Sequence, residues 1–201
     1  MHEEAGARFG AFAGWRMPLS YRPGVMKEHL HTREKAGLFD ISHMRLFEVR
    51  GPDAAAFLSR ACPLEAAALG QGRSKYTIDD LIVTRVGPER FIVVANAGNA
   101  EKDQLHFNEI ARGFDAELVA LDRILLALQG PEAESVLFGA GLDLSSLTFM
   151  TAAEPREKWF ATRSGYTGED GFEIALPLTE AESLVQAVLA DERVMWIGLA
   201  A

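Results

Sequence analysis

Apolar and polar positions along this chain of 201 residues switch between a strand period and a helix period, and the switches recur twice in the same order. Residues 80–86 and Arg90–Ala95 predict two strands, and residues 158–164 and 171–177 predict two more. A helical spacing follows each pair, over Ala100–Ala111 and over 180–190, the second opened by Thr179 and Glu182 as a capping box. Ahead of each pair, Leu46-Phe-Glu-Val-Arg-Gly-Pro-Asp-Ala-Ala-Ala-Phe-Leu58 lines up with Leu125-Leu-Ala-Leu-Gln-Gly-Pro-Glu-Ala-Glu-Ser-Val-Leu137. Each copy reads as a strand, a glycine, a proline at the first helical position and an acid in the first turn, where the helix dipole favours it. The repeat predicts an α+β fold of two related lobes with antiparallel sheets and helices on one face, at approximately 45–120 and 121–201. The lobes are expected to pack around a shared cleft, with residues 1–44 across them.

Outside the repeat the pattern is weaker. Residues 1–25 mix glycine, proline and aromatics and are expected to be irregular, anchored by Trp15, Met17 and Tyr21. A short helix is expected over 26–36, with Gly37 at its C′ position. Residues 138–157 are hard to read, with loops expected at 142–148 and 152–155.

The densest chemistry lies in Arg163-Ser-Gly-Tyr-Thr-Gly-Glu-Asp-Gly-Phe-Glu173, with three glycines, the aromatic Tyr166 ahead of the strand residue Phe172, and three carboxylates. Phe172 and Ile174 are expected on one strand face and Glu173 on the other. Tyr166 offers a flat stacking surface, so Tyr166 and Glu173 would frame a planar heterocycle. The tetrahydropterin ring of folate suits them, because its 2-amino-4-oxo edge presents two adjacent donors to one carboxylate. The plainer alternative is a Gly-rich hairpin with solvated acids.

Other groups have the same two-sided character. Asp79 and Asp80 would point to opposite faces of a strand, one into a cleft; alternatively they are turn acids. The strand Val93-Val-Ala-Asn would form a wall equivalent to the Tyr166–Glu173 strand, with Val94 and Asn96 as candidate contacts; alternatively Asn96 ends the strand as a turn residue. Met44 would pack on a ring face or simply fill core. His43 reads as a hydrogen-bonded structural residue. His29 and His31 lie two apart with no third ligand at metal-site spacing.

Composition narrows the classes. A formal net charge of -9 without a basic run disfavours nucleic acid. One cysteine, Cys62, rules out an internal disulfide. No apolar run reaches the length of a membrane span, and the Met1-His-Glu-Glu start lacks the basic region of a signal peptide. The expected location is cytoplasmic.

The Gly165–Glu173 stretch resembles the signature of the aminomethyltransferase family, the T-protein of the glycine cleavage system. Phe12-Ala-Gly-Trp-Arg-Met-Pro18, Ala36-Gly-Leu-Phe-Asp-Ile-Ser-His-Met44, Asp79-Asp-Leu-Ile-Val83, and Val93-Val-Ala-Asn-Ala97 with Lys102-Asp103 agree in order. The resemblance implies the T-protein folate-binding fold and a one-carbon transfer to tetrahydrofolate from the aminomethyl-lipoyl arm of the glycine cleavage H-protein. It implies Asp80 as the catalytic aspartate, and Met44, Val94, Asn96, Tyr166 and Glu173 as folate-binding residues. Family members carry an apolar piece and a Gly-rich turn between the equivalents of Tyr76 and Asp79. Beyond Ala201 they continue with an arginine-bearing segment and a C-terminal β-barrel, so the barrel is expected to be absent here. Another tetrahydrofolate-dependent enzyme of the same fold, and a non-catalytic folate-binding fragment, remain alternatives. The family's iron–sulfur-assembly relatives carry a Lys-Gly-Cys-Tyr-like signature where this chain has Arg163-Ser-Gly-Tyr166, and its only cysteine lies elsewhere, which argues against that group.

Overall fold

The computed structural model describes residues 1–62, 64–76 and 81–201, with thirteen strands and five α-helices among them. In chain order these are β1 (Arg8–Phe12), β2 (Trp15–Ser20), α1 (Val25–Glu34), β3 (Ala36–Asp40), β4 (Arg45–Arg50), α2 (Ala54–Ala61) and β5 (Ser74–Tyr76). Next come β6 (Ile82–Gly87), β7 (Arg90–Ala95), α3 (Ala100–Ala111), β8 (Glu117–Leu121), β9 (Ile124–Gln129) and α4 (Ala133–Gly139). The last are β10 (Thr151–Ala153), β11 (Phe160–Arg163), β12 (Gly171–Leu176), α5 (Leu178–Leu189) and β13 (Val194–Ile197). The chain divides into two compact units. One comprises Met1–Ser42, Arg123–Phe149 and Glu154–Ala201; the other comprises His43–Asp122 and Met150–Ala153.

The repeat is visible in both. The unit built on His43–Asp122 orders its sheet β5-β6-β7-β4-β8, and the other contains the run β11-β12-β9-β3-β13. In each, a β-hairpin (β6–β7 or β11–β12) pairs antiparallel with the strand that carries the Gly-Pro-acid motif (β4 or β9). Strand β13, by contrast, runs parallel to β3. No closed barrel occurs among the described residues.

The motif is built from the same bonds twice. Gly51 and Gly130 have φ 128° and 125°. Their carbonyls accept the N–H of Ala54 and Ala133, both at 3.0 Å. The acids Asp53 and Glu132 are the N-cap residues, so Pro52 and Pro131 stand two positions earlier than expected, just outside the helix. The acid backbone N–H groups donate to the carbonyls of Asp115 and Lys35, both at 3.1 Å. A Cβ on Gly51 would lie 2.6 Å from that Asp115 oxygen, and one on Gly130 would overlap the Lys35 oxygen. Glycine is therefore required by close backbone approach as well as by φ.

Core packing follows strand alternation. Phe47, Phe91 and Val93 face Phe57 of α2 and Phe107 of α3, with Phe107 edge-on to both Phe47 and Phe57 at 6.1 Å between centroids. Cys62 lies in this cluster, and burial pushes its thiol up to about 11, so it behaves as a small apolar group. In the other unit Phe172, Ile174, Leu128 and Trp159 are buried.

Three local expectations are corrected. Residues 8–20 form a hairpin, β1–β2, through Ala13 and Gly14 at φ 48° and 83°; Met17 and Tyr21 are buried but Trp15 is exposed. Gly37 is not a helix cap: α1 ends at Glu34, and Gly37 sits in β3, where a Cβ would come within 2.5 Å of Thr32 Oγ1 and Ile197 Cγ1. Thr179 and Glu182 form no capping box, because α5 starts two residues earlier than expected, at Leu178 after Pro177, and no side chain caps it.

Candidate functional site

The Gly-rich stretch is the connection between β11 and β12. Gly165 and Gly168 have positive φ, and the Gly168 N–H donates to the Gly165 carbonyl at 2.9 Å, closing a four-residue turn. The turn leaves Tyr166 69% exposed. Beneath it, Thr167 Oγ1 donates to the Oε1 of the fully buried Gln129 at 3.0 Å. Gly171 has no room for a side chain: a Cβ would stand 2.5 Å from the Gln129 amide carbon.

The three carboxylates of this stretch have different fates. Glu169 accepts from Arg33 at 2.9 Å. Asp170 takes a two-pronged grip from Arg163, with Nε donating to Oδ1 at 2.8 Å and Nη2 donating to Oδ2. Those bonds hold the Asp170 carboxyl below its ordinary range and raise the Arg163 guanidinium. Arg163 also pairs with Glu134 of α4 and lies over the Phe172 ring, so the Phe172 face of the sheet is the α4 face.

Glu173 points the other way, as alternation predicts. It is 5% exposed, and no cation pairs with it among the described residues. Its one hydrogen-bond donor there is Ser164 Oγ, at 3.1 Å to Oε1. Burial pushes its pKa up from 4.5, and the Ser164 bond opposes that shift. Across the sheet it stands in register with Thr162 of β11 and Ala127 of β9. Thr162, Ser164 and Gln129 are polar members of this site that the sequence reading did not single out. The signal was available in hairpin parity: positions 162, 164 and 173 fall on one face.

Met44, Val94 and Asn96 belong to the other unit. Val94 pairs with Leu46 and Ile82 on the face away from the Phe47–Phe107 core and is buried. Met44 and Asn96 are the residues just outside the Arg45↔Ala95 pair, both half-buried. The Asn96 carbonyl accepts the Asn99 N–H at 3.2 Å, so its backbone also turns the chain toward α3. His43 is buried, and His31 bonds the Arg193 carbonyl at 3.0 Å. Asp79 and Asp80 lie outside the described residues, as does the junction before Asp79. No group of three or more His, Cys, Asp or Glu arranged to hold a metal occurs among the described residues. No described helix is long and apolar enough to cross a membrane.

The repeated strand–Gly–Pro–acid–helix units and the Gly-Tyr-Thr-Gly turn define an α+β class with known members. A family model described as GCVT N-terminal domain matches residues 1–201. The mitochondrial aminomethyltransferase of Dictyostelium discoideum is 39% identical over 212 residues, covering 94% of this chain and 52% of that protein. The aminomethyltransferase of Rubrobacter xylanophilus is 44% identical over 199 residues, covering 91% of this chain and 53% of its own. The crystal structure of glycine cleavage system aminomethyltransferase T from Bartonella henselae superposes with a TM-score of 0.98 at 57% identity, covering 100% of this chain and 58% of that one. A heterotetrameric sarcosine oxidase from Corynebacterium sp. U-96 has a TM-score of 0.62 at 18% identity, covering 83% of this chain and 89% of that one, a likeness of fold alone.

This chain belongs to the GCVT N-terminal domain family, the aminomethyltransferase family of the glycine cleavage system. It spans a little over half the length of the two relatives from Dictyostelium and Rubrobacter.

Proposed function

We propose that this chain carries the tetrahydrofolate-binding part of an aminomethyltransferase. In this reading Glu173 accepts the two adjacent donors of the pterin edge and Tyr166 covers a ring face. Glu173 itself is the observation that carries the reading. A carboxyl buried on a sheet face, with one hydroxyl donor and no cation among the described residues, lacks the partners a charged carboxylate needs. Two parallel N–H groups from a planar heterocycle would supply them. The exposed Tyr166 ring, three residues beyond Arg163 on a turn braced by Gln129 and Asp170, adds a stacking surface.

Tetrahydrofolate, when bound, supplies the nitrogens that accept the one-carbon unit. In the proposed reaction that unit comes from the aminomethyl-lipoyl arm of the H-protein, and ammonia is released. The chain's own contribution is to hold and orient the acceptor, which removes much of the entropic cost of bringing two reactants together. Asp80 is proposed as the group that assists proton movement, and Met44, Val94 and Asn96 as further folate-binding residues. Family relatives named aminomethyltransferase support the reading, and a cytoplasmic location goes with it.

Calorimetric titration with tetrahydrofolate tests the site. Glu173→Ala removes two charge-assisted hydrogen bonds, each worth about 1.5–3 kcal/mol, so its affinity should fall at least a hundredfold; equal affinity for both proteins overturns the assignment. In the same preparations Asp80→Asn should lower turnover by about 10²–10⁴ while changing binding little. Equal turnover by Asp80→Asn, or a larger loss from Asp79→Asn, would show that Asp80 is the wrong carboxylate.

A further inference from the structure

Glu173 sits in a small polar island on the sheet face away from α4, and the hydrogen bonds of that island account for all of its side chains but one. Ser164 donates to Glu173. Gln129 accepts from Thr167 and donates to the Phe172 carbonyl at 3.5 Å. Thr162 is the remaining member. It is 2% exposed, stands directly across from Glu173 in the β11–β12 register, and its Oγ1 has no hydrogen-bond partner among the described residues. Side chains opposite each other in an antiparallel pair have their Cβ atoms about 4.5–5.5 Å apart. A hydroxyl at that distance reaches a carboxylate by rotation of either side chain.

An unpaired buried hydroxyl is unfavourable, and valine has the same shape without it. A threonine at this place is explained by a second state of the island, in which the hydroxyl is used. We propose that Thr162 is a positioning residue for Glu173: when a ligand edge with two adjacent N–H groups occupies the site, the Glu173 carboxylate turns to meet it and Thr162 Oγ1 donates to that carboxylate beside Ser164. Two hydroxyl donors then fix the plane of the carboxylate so that both oxygens face the ligand donors. Burial of Thr162 is consistent with this role, because the hydroxyl acts from behind the carboxylate and does not touch the ligand. The inference rests on the proposed folate site, and the ligand class it specifies is a ring carrying an amino group next to a ring N–H.

The test uses the full chain, tetrahydrofolate, and a tetrahydrofolate analogue with methyl in place of the 2-amino group. Thr162→Val should raise the thermal midpoint of the ligand-free protein, since the unpaired hydroxyl is gone. It should weaken tetrahydrofolate about tenfold and leave the 2-methyl analogue unchanged, because that ligand lacks the donor the carboxylate is turned to meet. Thr162→Ser should bind tetrahydrofolate like wild type. A lower midpoint for Thr162→Val, unchanged tetrahydrofolate affinity, or an equal loss for both ligands overturns the proposal. Wild type and Glu173→Ala are titrated alongside. If wild type fails to bind tetrahydrofolate, or Glu173→Ala binds it equally well, the folate reading itself fails; if both controls behave as expected, a failure belongs to Thr162 alone.

Discussion

Glu173 has a distinct electrostatic signature among the acids of its stretch. Asp170 is held low by Arg163, so it adds stability above the ordinary carboxylate range that is lost as pH falls through its lowered value. Glu173 is shifted the opposite way by burial. Its contribution is fully present below 4.5 and is lost as pH rises through the raised value. Glu173→Gln should therefore be more stable than wild type at neutral pH, with the gap closing as pH falls toward 4.5. Thermal midpoints of both proteins across that range check this, and a gap independent of pH would show that Glu173 is not a buried titrating carboxyl. At this scale the sequence was informative about Tyr166 and Glu173 because glycine spacing and strand parity are local. Hairpin parity put Thr162 on the Glu173 face, but that Thr162 stands across from Glu173 and that Gln129 braces the turn arise from strand pairing.

At the scale of elements, the duplicated strand–Gly–Pro–acid–helix motif is the most legible feature of the chain, and its geometry repeats down to the hydrogen bonds. The two glycines differ in how tightly they are packed. A side chain at Gly130 meets the carbonyl oxygens of Lys35 and Thr32, whereas one at Gly51 meets Asp115. A side chain at Gly14, also at positive φ, meets nothing within 4 Å. Gly14→Ala should cost about 1–2 kcal/mol, the left-handed penalty alone. Gly51→Ala and Gly130→Ala should each cost clearly more, with Gly130→Ala the larger, as read by chemical denaturation. Equal losses at all three positions would remove backbone approach as the reason for these glycines. The β1–β2 hairpin was not legible, because its Ala-Gly turn lacks the usual Asn-Gly signal. Strands β3, β8 and β13 were missed for a related reason, since runs of four or five residues carry too little period.

At the largest scale, the unit built on Met1–Ser42 is tied together by a residue with no motif around it. Glu28 of α1 is fully buried and accepts the N–H of Tyr21 at 2.7 Å and of Gly198 at 2.8 Å. One carboxylate thus joins the start of α1 to segments 7 and 170 positions away. Meanwhile Val25, Met26 and Leu30 of the same helix are exposed, the reverse of an ordinary amphipathic pattern. Glu28→Ala would leave two buried donors unpaired at about 1–3 kcal/mol each, so the expected loss is roughly 2–6 kcal/mol. Urea denaturation measures it, and a loss below that range would mean these bonds are replaced by others.

The linear sequence by itself determined the α+β class, the duplicated motif, its helices and the Tyr166–Glu173 hairpin, because each depends on short-range period, glycine φ and neighbouring residues. Only the tertiary structure decided that Glu169 and Asp170 are consumed by Arg33 and Arg163 while Glu173 is buried with no cation beside it among the described residues. It also decided that Gly37 and Gly171 are glycine for want of space, and that Glu28 is a buried anchor. Those outcomes depend on which distant backbone and side chains arrive beside each residue, and burial and pairing are properties of that arrangement that a residue's sequence neighbours do not contain.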